Sequence, residues 1–126
     1  MTTVGDVMST ELVTIQPSAT VAEAATVMGG HHVGSALVCE GGTLAGIFTE
    51  RDILKALSQD FDAPGHPVSH WMTQDPATVE SVTSVEDALS LMLEGGFRHL
   101  PVMDGGKLLG MVSMRDLSRA TSKRSD

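Results

Sequence analysis

Shifted by 64 residues, the chain reads over itself: Met8 falls on Met72, Thr14 on Thr78, Val21 on Val85, Ala24 on Ala88 and Met28 on Met92. Val38 then falls on Val102, Gly41-Gly42 on Gly105-Gly106, Leu44 on Leu108, Gly46 on Gly110 and Arg51-Asp52 on Arg115-Asp116. No gap is needed between residues 7 and 121. Chance does not give that register, so the fold must be built from two copies of one supersecondary unit. The sharpest piece is a heptapeptide, GIFTERD at 46–52, which returns as GMVSMRD at 110–116.

Each copy carries the same local signals. Leu12-Val13-Thr14-Ile15 and Ala77-Thr78-Val79 are short apolar segments with turn-prone residues after them, which predicts a strand. Thr20 with Glu23, and Ser84 with Asp87, place a hydroxyl three residues ahead of an acid, the capping-box pattern of a helix start. Val21, Ala24, Ala25 and Met28 follow at helical spacing, and Val85, Ala88, Leu89 and Met92 repeat the stripe. Gly29-Gly30 and Gly95-Gly96 are expected to end these helices. Two strands follow, joined at Glu40-Gly-Gly and Asp104-Gly-Gly, residues suited to a hairpin turn at positive φ. A last helix starts near Thr49 or Ser113.

The unit is therefore strand, helix, strand, strand, helix, an α/β (α+β) fold. The copies are expected at 1–60 and 69–121, with a linker at 61–68 and a disordered tail at 122–126. A unit of about 50 residues buries too little surface to stand comfortably alone. The two should pack through their sheets about a pseudo-twofold axis as one module.

Composition limits what such a module can do. Aromatics make up only 3% of the chain, so Leu, Val, Ile, Met and Ala must fill the interior. No apolar run is long enough for a bilayer, and MTTVGDVMST lacks the pattern of a signal peptide. A single cysteine, Cys39, cannot form an internal disulfide, so a cytoplasmic protein is expected. The formal net charge of −8 argues against nonspecific binding to nucleic acid or anionic membrane. It leaves room for a small pocket with cations of its own.

The unit order, the Met8-Ser9 and Met72-Thr73 openings, the Leu100-Pro101-Val102 strand, the glycine hairpins and the Gly-apolar-apolar-Ser/Thr-x-x-Asp endings occur together and in duplicate. In these features the chain resembles a tandem pair of cystathionine-β-synthase (CBS) domains, the Bateman module, over nearly its whole length. The resemblance implies a regulatory or sensor module that binds an adenosine ligand (AMP, ADP, ATP or S-adenosylmethionine) in clefts between the two repeats. It implies signalling through domain angle or dimer geometry, and a homodimer forming a four-repeat disc. No cofactor is required, and the regulated protein is not written in the sequence. The alternative reading is a constitutive interaction scaffold without ligand; a third, nucleic-acid binding, is the weakest because of the −8 charge.

The heptapeptide supports both readings. A strand that delivers the chain to a helix start presents free backbone N–H groups. An aspartate one turn in can accept hydrogen bonds from the 2′- and 3′-hydroxyls of a ribose. By the resemblance, Thr49 with Asp52 and Ser113 with Asp116 do this work. The same residues also read as ordinary capping boxes. The copies differ at the positions where the resemblance implies basic residues against a phosphate, which needs charge-assisted donors. Arg98 and His99 precede Leu100 in the second copy, where the first has Gly34 and Ser35. One good site is expected, built on Ser113 and Asp116, with Arg98, His99 and Arg115 toward phosphate and Val33, Gly34 and Met111 toward adenine. The site on Thr49 and Asp52 should be weak.

Other reactive side chains carry blander expectations. His66 and His70 stand four apart, but Pro67 interrupts the helix a metal pair would need, so no metal site is expected. His31 and His32 cover a helix end, Cys39 is a small core residue, and Trp71 anchors the linker. No nucleophile with base and orienting group is visible, so the chain is not expected to be an enzyme.

Overall fold

The computed structural model describes residues 1–124. In chain order the elements are α1 (Val4–Val7), β1 (Thr14–Ile15), α2 (Val21–His31), β2 (Ser35–Glu40), β3 (Thr43–Thr49), α3 (Glu50–Gln59), β4 (Thr73–Gln74), α4 (Val85–Gly95), β5 (His99–Asp104), β6 (Lys107–Ser113) and α5 (Met114–Arg124). The glycine hairpins form as the sequence predicts. Gly41 and Gly42 take φ of 58° and 81°, and Gly105 and Gly106 repeat this at 57° and 81°. Both central residues of each turn are left-handed, a twist that matches the flanking strands. Each hairpin also carries a bulge at the same repeat position, Val38/Cys39 and Val102/Met103.

The packing units cross the repeat. One runs over Val13–Pro76, the other over Met1–Leu12 with Ala77–Asp126. Residues that open one repeat therefore fold with the body of the other. In the Val13–Pro76 unit the sheet order is β1-β2-β3-β4, with β1 parallel to β2 and the other pairs antiparallel. The other unit keeps the same plan around β5 and β6. Its outer positions are single bridges, Val79 to Val102 in parallel and Ser9 to Met111 antiparallel.

Gly46 and Gly110 make this crossing possible. A Cβ on Gly46 would lie 2.6 Å from the Thr73 carbonyl oxygen and 2.7 Å from Met72 Sδ. On Gly110 it would lie 2.6 Å from the Ser9 carbonyl oxygen and 2.8 Å from Met8 Sδ. The glycine that opens the heptapeptide and the methionine that opens the repeat are thus partners in space. Below them each unit has its own core, in which Val21, Ala24 and Met28, or Val85, Ala88 and Met92, face inward. Ala25 and Leu89, expected on the same stripes, are only half-buried.

Four details depart from the sequence reading. Gly29 and Gly30 lie inside α2, and the left-handed cap is His32 at φ 55°. The equivalent cap in the second copy is Gly96 at φ 74°, so the repeat register, not the glycine pair, sets the helix end. The short α1 was not expected; it is strapped on by Val4 and Gly5 N–H groups donating to the Thr83 and Ser81 carbonyls at 2.8 and 2.9 Å. The linker holds two 3₁₀ turns, Ala63–Gly65 and Val68–His70. Helix α5 runs to Arg124, into the stretch expected as a tail, whose last two residues lie outside the described residues.

Two stability predictions follow from this geometry. Gly46→Ala and Gly110→Ala should each cost about 1–3 kcal/mol in urea unfolding, because the added methyl meets backbone oxygen that cannot swing away. An unchanged midpoint would contradict the close approach. His32→Gly should stabilise by about 0.5–1 kcal/mol, by removing the left-handed penalty on a residue with a Cβ.

Candidate functional site

The Thr49 and Ser113 segments each end a strand and start a helix, and both close a capping box. The Thr49 N–H donates to Asp52 Oδ2 at 2.9 Å, the Thr49 hydroxyl lies 3.2 Å from that oxygen, and the Asp52 N–H donates to Thr49 Oγ1 at 3.3 Å. The Ser113 N–H donates to Asp116 Oδ2 and the Asp116 N–H to Ser113 Oγ, both at 3.1 Å. The capping reading of the heptapeptide is therefore realised. These bonds fall on Oδ2 alone; among the described residues none falls on Oδ1 of either aspartate. Each cap fixes its carboxylate and leaves one oxygen to accept from elsewhere.

Strand register places the remaining candidates. His99 is paired with Ser113 and Pro101 with Met111 across β5 and β6. Directly opposed and alternate residues share a sheet face, so His99, Met111 and Ser113 lie on one side of this hairpin. The Met114 N–H donates to the Arg98 carbonyl at 2.8 Å, which brings Arg98 beside the start of α5. Arg98 and Arg115 are exposed, while His99, Met111, Ser113 and Asp116 are half-buried. Arg98, His99, Met111, Ser113, Arg115 and Asp116 thus belong to one unit. Val33 and Gly34 belong to the other, beside Thr49: the Glu50 N–H donates to the Gly34 carbonyl at 3.0 Å, and Ser35 is paired with Thr49.

The CBS-domain family model matches residues 4–59 and again 68–123. The chain belongs to the CBS-domain family. A 17.7 kDa protein of Acidianus ambivalens is 46% identical over 94% of this chain and 73% of its own length. The Arabidopsis thaliana CBS-pair protein CBSX2, in a structure with AMP, is 32% identical with a TM-score of 0.84, and 100% of each chain is covered. The CBS-domain pair of protein MJ0100, in complex with 5-methylthioadenosine and S-adenosyl-L-methionine, is 26% identical with a TM-score of 0.90, and 98% of each chain is covered.

Within this CBS pair the two cap aspartates differ in surroundings. Burial pushes the Asp52 carboxyl up from its ordinary value, against the opposing pull of the hydrogen bonds from Thr49 and the charges of Lys55 and Arg51. Ser35, opposite Thr49, is the buried polar residue in that strand, where the second copy carries His99. Sequence reasoning passed over Ser35 as a structural residue; its signal was only that a hydroxyl stood in an apolar strand. Reasoning also missed Met8 and Met72 as supports of the site, although their fixed distance from Gly46 and Gly110 in the repeat marked them.

Other features fall away from the site. Burial raises the Cys39 thiol, which leaves it poorly ionised and unreactive at neutral pH. Among the described residues no group of three or more His, Cys, Asp or Glu is placed to share a metal ion, and no helix is long and apolar enough to cross a membrane. A surface depression of about 290 Å³, lined by Ile15, Gln16, Ser18, Ala19, Glu23 and Val27, contains none of the candidate residues. Its one charged group, Glu23, is already tied into the Thr20 cap, and no cation there could meet a phosphate.

The raised Asp52 group has a definite sign. Its folded form holds the proton more tightly than the unfolded chain does. Its contribution is therefore fully present below the unfolded value and is lost as pH rises through the folded value. Asp52→Asn, which keeps an acceptor for the Thr49 N–H, should remove that loss, whereas Asp52→Ala should cost about 0.5–1.5 kcal/mol of capping at any pH. Thermal unfolding from pH 3 to 7 checks both. A wild-type midpoint that rises relative to Asp52→Asn across that range would contradict the assignment.

Proposed function

We propose that this CBS pair is a regulatory module that binds an adenosine ligand at the Ser113–Asp116 helix start and answers by changing its shape or association. One observation carries the reading: among the described residues nothing bonds to Oδ1 of the capped Asp116, at the hairpin end that also bears Arg98 and His99. A ribose diol has two O–H donors for such a carboxylate, and a phosphate would find the exposed Arg98 guanidinium nearby. Support comes from relatives of the same fold, CBSX2 with AMP and MJ0100 with 5-methylthioadenosine and S-adenosyl-L-methionine. The Thr49–Asp52 copy has Gly34 and Ser35 in place of the cations, so it is the weaker site. A ligand alters shape or association only to the extent that it binds one state better than the other.

Calorimetry with AMP, ADP, ATP and S-adenosylmethionine should give one strong site per chain. At a hundred times its dissociation constant the ligand should add about 2.7 kcal/mol to thermal stability. Asp116→Asn, which keeps the cap acceptor but removes one carboxylate oxygen, should abolish that gain while leaving the ligand-free transition near wild type. Two equivalent sites would overturn the asymmetry. A flat panel would favour the alternative, a scaffold in which the heptapeptides serve only as caps.

The proposed partner is a second copy of the chain. Helix α3 and the residues after it expose Leu54, Leu57 and Phe61 at 70, 48 and 88%. Leu54 and Leu57 stand three apart on α3, Phe61 lies just past its end, and the positions of α5 that match the two leucines are Ser118 and Thr121. An exposed apolar patch at α3 and its C-terminal end, with polar residues at the matching positions of α5, fits an isologous pairing of α3 with α3, since such a contact needs one patch facing itself. Leu54→Glu with Phe61→Glu should convert a dimer to monomer in sedimentation without loss of the folded spectrum. A wild-type monomer at micromolar concentration would remove this proposal.

A further inference from the structure

The linker contains a cluster that neither ligand binding nor capping uses. Trp71, the single tryptophan of the chain, donates its indole Nε1–H to His66 Nδ1 at 3.3 Å. The two rings are nearly parallel, 7° apart with centroids 6.2 Å from each other. An Nδ1 that accepts must be unprotonated, so the proton of the neutral ring sits on Nε2. That nitrogen lies 3.7 Å from Asp60 Oδ2, at the end of α3. The ring therefore stands between an indole that donates to it and a carboxylate 3.7 Å away, beyond hydrogen-bond distance but close enough to attract a charged ring.

The second proton can go only to Nδ1, and there it collides with the indole N–H. Protonation would cost the Trp71 bond and strengthen the attraction to Asp60 in one step. The titratable groups facing the ring are Asp60 and His70, whose ring is 5.6 Å away in the second 3₁₀ turn. On α2, whose first N–H at Val21 donates to the His66 carbonyl at 2.9 Å, the first-turn acid Glu23 is tied to Thr20. Asp62, next in the linker, donates its N–H to Asp60 Oδ1, which holds that carboxylate in place. His66 is 30% exposed, so protons reach it from solvent.

Trp71 is followed at once by Met72, whose sulfur lies against Gly46, and then by β4, paired with Gly46 and Ile47 of β3. The backbone of the turn is held independently, by Val68 N–H to the Ala19 carbonyl and Met72 N–H to the Val68 carbonyl. A change at the indole therefore leaves the turn folded, and Trp71 is joined directly to Met72 and β4. We propose that His66 is a proton-operated latch: neutral, it holds Trp71; protonated, it releases Trp71 to pair with Asp60, and the seating of Met72 and β4 on β3 shifts with it.

The test is a pH titration of the full ¹⁵N-labelled chain from 8 to 5, the span in which imidazoles change charge. The single indole N–H resonance should move upfield in one step, and the Gly46 and Gln74 amides should move with the same midpoint. The ¹³C-labelled ring of His66 in wild type should share that midpoint. His66→Gln, whose amide oxygen can accept from the indole but does not titrate, should lose the step; His70→Gln should keep it. A step that survives His66→Gln or tracks the His70 ring overturns the proposal. An indole that moves while Gly46 and Gln74 stay fixed overturns the transmission to β4.

Discussion

The contact on which the rest of this fold depends is a methionine sulfur laid against a glycine, made twice. Met72 on Gly46 and Met8 on Gly110 bring a strand-forming segment so close that no Cβ could stand between. Methionine suits the position because its unbranched, polarisable side chain follows an irregular surface. The contact adds an outer position to each β-hairpin, and it draws the segment from the opposite repeat. Cutting the chain at its sequence repeats would therefore leave each half without one edge of its sheet.

That edge bears on the candidate site because the same strands carry it. β3 runs from Gly46 into Thr49, and β6 runs from Gly110 into Ser113. The glycine fixes where the strand lies, the hydroxyl caps the helix, and the cap orients the aspartate. The heptapeptide repeats because this mechanical sequence is needed in both copies. Chemistry diverges one strand away, where His99, preceded by Arg98, is paired with Ser113 and where Ser35, preceded by Gly34, is paired with Thr49. Common scaffolding with unequal donors is the arrangement on which the proposal of one strong adenosine site rests.

Much of this was legible in the sequence, for physical reasons that can be named. The hairpins could be read because Gly-Gly after an acid has few other uses, and the caps because hydroxyl and acid at a spacing of three form a local hydrogen-bond ring. The internal repeat gave the element order. What could not be read was non-local. Nothing in Met8 or Gly110 alone says that they meet, and only the duplication of their spacing hints at it. The helix end at His32 was hidden because glycines 29 and 30 are the better left-handed residues and the packing overrode them. The half-burial that separates Asp52 from a freely solvated carboxylate also required the folded chain.

The most direct test of this account is a nuclear Overhauser spectrum of the full chain with ¹³C-methyl-labelled methionine. The eight methionines should resolve into a tractable set. The crossed fold predicts contacts from the Met8 side chain to the Gly110 α-protons and from Met72 to those of Gly46. Contacts from Met8 to Gly46 and from Met72 to Gly110 would mean that each repeat completes its own sheet. That result would contradict the crossed units and the support they give to the aspartate sites.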